Sequence, residues 1–148
     1  MEQQIKDALS IKDLEKVKSL LSLVDVRSYT FSFNEKIGDT IDDYRFTRDH
    51  LTILHLIACY DFVECFEYYL TNSELSIRQT YYNNIYLPLH YACWFGSKSV
   101  ALYILNNDPE EALLCPNEND LSLLYCAVVG GNYEIIQELL KRGAKYSS

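Results

Sequence analysis

Leu87-Pro88-Leu89-His90-Tyr91-Ala92-Cys93-Trp94-Phe95-Gly96 is the stretch that decides the fold. The same register recurs 35 residues earlier as Thr52-Ile53-Leu54-His55-Leu56-Ile57-Ala58. It recurs 35 residues later as Ser122-Leu123-Leu124-Tyr125-Cys126-Ala127, with Gly131 in the place of Gly96. Chance seldom reproduces a spacing twice, and self-similarity at a fixed period of this size is the mark of a repeat array.

The central stretch falls one residue short of T-P-L-H-x-A, with Leu87 where Thr is usual. On these residues the chain resembles the ankyrin-repeat family. The resemblance implies a mostly α solenoid of about four helix-turn-helix repeats, with β-hairpin-like fingers and a long hairpin insert after repeat one. It divides a single domain over 1–148 into repeats at about 3–24, 52–71, 87–106 and 122–144, with an insert at 25–51. The Tyr- and Asn-rich wording, as in Val-Ala-Leu-Tyr-Ile-Leu, is also similar to the expanded ankyrin families of parasitic protists such as trichomonads.

The composition fits this reading. Hydrophobic residues make up 49% of 148, ample for a core and too many for a disordered chain. The net charge of −8 argues against nucleic acid or an anionic membrane as the main partner, because both demand clustered Lys and Arg. No apolar run approaches the ~20 residues that cross a bilayer. Met1-Glu2-Gln3-Gln4 lacks the basic and apolar regions of a signal peptide. Four of the five cysteines, Cys59, Cys65, Cys93 and Cys126, sit in helical apolar patterns, as reduced buried residues of a cytoplasmic protein would.

Along the chain, Ala8 and the Asp13–Leu21 run read as a first repeat, with Asp13 as helix cap and Lys6, Asp7, Lys12 and Lys16 suiting an end that meets water. The alignment of Lys6 with His55 spans 49 residues rather than 35, which locates the insert. Within it, Tyr29, Phe31 and Phe33 alternate with polar residues, as do Tyr44 and Phe46, around Gly38-Asp39. That period of two predicts a hairpin, a packed decoration or a partner-binding loop. Helices are expected near 53–60, 62–70, 89–95, 97–106, 123–130 and 132–142. A short turn is expected at 109–114, capped by Asp108. Asp61 stands where the family places Gly, Asn83-Asn84 should turn a finger, and Lys141-Arg142-Gly143 reads as a helix stop. Small Ala58, Ala92 and Ala127 should allow close helix approach, and Leu89, Leu105, Leu124, Leu139 and Leu140 should face the core.

His55 and His90 invite a catalytic or metal reading. The family uses this His to hydrogen-bond backbone and brace its repeats, and Tyr125 at the third copy means no chemistry can require His there. There is no C-x-x-C, Gly-rich phosphate loop, G-x-S-x-G or H-E-x-x-H, so neither an enzyme nor a cofactor or metal site is expected. The resemblance points instead to a concave groove lined by fingers and first helices. It implies a non-catalytic protein–protein interaction module. Partner-binding residues are then Tyr60, Trp94, Phe95, Tyr82 and Tyr86 as an open aromatic patch, with Asp49, Glu118 and Asp120 favouring a protein or peptide that carries a basic segment. Two alternatives remain: a regulatory or targeting segment of a larger enzyme, and a reader of a Lys-rich or methyl-lysine peptide, caged by Trp94, Tyr60 and Tyr86.

Overall fold

The computed structural model describes residues 1–33, 46–80, 84–114 and 120–146. These form antiparallel helix pairs: α1 (Glu2–Ser10) with α2 (Leu14–Leu21), α3 (Ile53–Ala58) with α4 (Val63–Asn72), α5 (Pro88–Trp94) with α6 (Lys98–Asn107), and α7 (Leu123–Gly130) with α8 (Tyr133–Lys141). A 3-10 turn, Pro109–Leu113, follows α6. The second, third and fourth pairs stack in chain order, α3 on α5 and α5 on α7, with α4 on α6 and α6 on α8.

Local chemistry sets the helix ends. The Asp13 carboxylate accepts from the Lys16 N–H, and Ser122 and Asn132 cap α7 and α8 in the same way. Asp61 adopts the left-handed φ of 53° required between α3 and α4. Its side chain also accepts from the Val100 N–H, tying one pair to the next. Asp108 departs from expectation. It makes no cap to the turn after it; its carboxylate is drawn into a two-point pair with the Arg78 guanidinium, a stronger bond than a neutral amide offers. Asn84 is likewise no exposed turn residue. It is buried, donating to Tyr91 Oη and accepting from the Tyr86 N–H.

The 35-residue register places Ile57, not Ala58, opposite Ala92 and Ala127. The closest approach lies one turn on, at Gly130, where a Cβ would collide with the carbonyl oxygens of Cys93 and Trp94. Leu140 also corrects the expected core: it is 52% exposed, because none of the described residues packs over that side of α8.

The proposed hairpin falls partly on 34–45, outside the described residues. At its base, Phe31 and Leu51 exchange both backbone hydrogen bonds at 3.0 Å and the Phe33 N–H donates to the Arg48 carbonyl at 2.9 Å. Phe31, Phe33, Phe46 and Leu51 are all buried.

Candidate functional site

The histidines come first, because they link the first helices to the backbone around them. His55 Nδ1 accepts from the Thr52 N–H at 3.1 Å, so its Nε2–H donates to the Tyr86 carbonyl at 2.7 Å in the next pair. Burial pushes its pKa down to about 4, keeping the ring neutral. His90 Nδ1 accepts from the Leu87 N–H at 3.1 Å, while its Nε2 has no partner. Both rings are fully enclosed. Among the described residues no group of three or more His, Cys, Asp or Glu could hold a metal ion.

The aromatic residues split into a sealed row and an open row. Trp94 and Tyr86 are buried, so they do not belong to an exposed patch. The reason is the insert. Phe46 stacks on Trp94 with ring centroids 4.4 Å apart and planes 10° apart, and it also touches Tyr86 at 5.4 Å and Tyr91 at 4.5 Å. The Tyr91 hydroxyl donates to the Thr47 carbonyl, fixing the segment in place. Trp94 and Tyr86 are thus covered by a ring of the same chain and do not stand open beside Tyr60.

Tyr60 and Phe95, 35 residues apart and at equal register, are only partly buried. Phe33 stands edge-on to both, at 5.4 Å and 4.9 Å. The Arg48 guanidinium lies 5.4 Å above Phe95 and donates to the Phe33 carbonyl. Asp49 and His50 are exposed next to it. Together with Glu2, Thr30, Phe31 and Ser32 they line an open hollow. There the Glu2 carboxylate accepts from Ser32 and pairs with Lys6 at 3.6 Å. Asp120 is partly exposed, with one carboxylate oxygen lacking a hydrogen-bond partner. Tyr82 and Glu118 lie outside the described residues.

Phe33 and Phe46 are what sequence reasoning missed. Their alternation suggested a hairpin, but not that Phe46 would cover Trp94 and Tyr86 or that Phe33 would pack on Tyr60 and Phe95. The four cysteines of the helical patterns are buried, and burial raises the Cys65 thiol to about 12, so none behaves as an exposed nucleophile. Among the described residues no helix is long and apolar enough to cross a membrane.

Comparison with known proteins bears on the repeats. The family model described as Ankyrin repeats (3 copies) matches residues 6–113. Delta-latroinsectotoxin-Lt1a of Latrodectus tredecimguttatus is 37% identical over 71 residues, which are 48% of this chain and 6% of that protein. The chain thus spans a small fraction of the length of that relative.

Proposed function

Because this chain belongs to the ankyrin-repeat family, whose members typically serve as non-catalytic protein-interaction modules, we infer that it binds a protein partner along the open row of its concave side. The observation that carries this reading is the pairing of two partly exposed rings, Tyr60 and Phe95, with the acid-bearing hollow of Glu2 and Asp49 beside them. Aromatic edges supply contact area at little entropic cost, and a few such anchors dominate interface energies. Acids at the rim steer and select a cationic segment. The partner is accordingly an exposed peptide or loop bearing Lys or Arg, lying across Tyr60 and Phe95 with its cation toward Asp49. No step of bond chemistry is assigned to the site.

The test is a peptide array graded in Lys and Arg content, read with the wild type and with Tyr60→Ala/Asp49→Lys. The variant should lose at least tenfold in affinity for the basic peptides while its far-UV circular dichroism stays unchanged. Binding that ignores basic residues, or that survives the double substitution, rejects the reading.

A further inference from the structure

We propose that the hollow between the ends of α2 and α4 binds a small monocarboxylate with an apolar body, its carboxylate held by Tyr69, Lys18 and Arg27. The hollow measures about 290 Å³ and opens to solvent. One wall is built from residues between Lys18 and Arg27, the other from residues between Tyr68 and Ser73. It shares no residue with the row of Tyr60 and Phe95.

Register singles out Tyr69. The matching positions in the other helix pairs are Leu20, Ile104 and Leu139, of which the last two are fully buried. Packing at this level of the stack is served by an aliphatic side chain. Tyr69, at 5% exposed, packs as they do, but it adds a hydroxyl that makes no hydrogen bond among the described residues. A phenol buried to this degree ordinarily finds a partner. Burial, reinforced by Cys65 and Tyr68, raises its pKa above the usual phenol range, so the group stays a hydrogen-bond donor. An acceptor seated in the hollow supplies the missing partner.

The charges around it set the sign of that acceptor. Lys18 and Arg27 line the hollow against a single carboxylate, Asp25, which leaves one positive charge in excess. Asp25 is already committed, accepting from the Arg27 backbone N–H at 3.1 Å and from Arg27 Nε at 3.4 Å. The other acids paired with the two cations stand in water. Lys18 pairs at 3.5 Å with Glu15, whose side chain is 85% exposed, and Arg27 at 3.2 Å with Glu74, 84% exposed. Exposed pairs contribute little, so a carboxylate inside the hollow competes with both. The Lys18 ammonium is kept beside the hollow by the Tyr68 ring, 4.1 Å below it. Helix-end carbonyls, which would repel an anion, are engaged: that of Lys18 accepts from the Ser22 N–H at 3.0 Å, and that of Tyr68 from the Asn72 amide at 2.8 Å. One excess positive charge matches one carboxylate, and the chain's overall −8 opposes a dianion more strongly. Leu21, Val24 and Val26 complete the lining and receive the apolar body.

Sodium benzoate is the probe, titrated into the full chain and followed by amide-resolved NMR. Saturable shifts are expected among residues 18–27 and 68–73, with benzamide, the neutral analogue, binding at least tenfold more weakly. Tyr69→Phe keeps the ring and removes only the hydroxyl. It should weaken benzoate binding about tenfold, as loss of a hydrogen bond to a charged group does, with an unchanged circular dichroism spectrum. Lys18→Met, which keeps an apolar stem, should weaken it by a similar factor. Shifts that stay linear into the tens of millimolar overturn the proposal. Benzamide binding as tight as benzoate, phenyl phosphate binding tighter than benzoate, or full affinity in Tyr69→Phe does the same. If Tyr69→Phe fails to fold, Lys18→Met and the benzamide comparison are read by the same criteria.

Discussion

The ring of Phe46 lies flat on the indole of Trp94, 4.4 Å from centroid to centroid. One belongs to a segment outside the repeat pattern and the other to the most repeat-like stretch of the chain. Their contact turns the insert from an appendage into part of the core. Phe46→Ala would open a void against Trp94, Tyr86 and Tyr91 and should destabilise the protein by about 3–5 kcal/mol. Urea unfolding monitored by the fluorescence of the single tryptophan measures this. A midpoint shift worth under about 1 kcal/mol would mean the segment contributes little to the folded state.

Gly130 and Gly131 separate two reasons for glycine. At Gly130 a methyl group would strike the Cys93 and Trp94 carbonyls, prising α7 from α5. At Gly131 there is open space, but φ is +71°. Gly130→Ala should cost on the order of 1–3 kcal/mol through overpacking and disturb the Trp94 emission. Gly131→Ala should cost about 1–2 kcal/mol through backbone strain alone and leave the emission in place.

The two histidines should not be equivalent. His55 bonds the Thr52 N–H and the Tyr86 carbonyl, so His55→Ala strands two buried backbone groups, at about 1–3 kcal/mol each. His90→Ala strands the Leu87 N–H and relieves an Nε2 that had no partner, and it should cost less. Equal losses in thermal unfolding would contradict this difference. Both folded pKa values lie below the ordinary 6.5, at about 4 for His55 and about 3 for His90, with burial as the main cause. The unfolded chain therefore takes up protons first. Stability present above pH 6.5 is lost as pH falls toward 4.

Glu111 pulls the other way. It is fully buried and neither carboxylate oxygen has a hydrogen-bond partner. Burial, reinforced by Asp108 and opposed by Arg78, raises its pKa to about 8 from the ordinary 4.5. The folded state therefore holds the proton more tightly. The stability this confers is complete below pH 4.5 and is lost as pH rises through 8. Glu111→Gln should flatten the stability profile across that window. An identical slope in wild type and variant would show that the carboxyl is not titrating there.

The amino-acid sequence by itself determined the array. A 35-residue recurrence around His55, His90 and Tyr125 specifies helix pairs and their stacking, and the Asp13 cap was legible too, because each of these follows from local spacing and side-chain type. The core was legible for the same reason at Leu89, Leu105, Leu124 and Leu139, but not at Leu140, whose cover depends on other segments rather than on its own helix. Only the tertiary structure decided which aromatics face water. Trp94 and Tyr86 occupy positions that the repeat pattern assigns to an open groove, yet Phe46, distant in the chain, closes over them. Burial is a property of contacts between segments, and a contact made by an insert that breaks the period leaves no trace in the period itself.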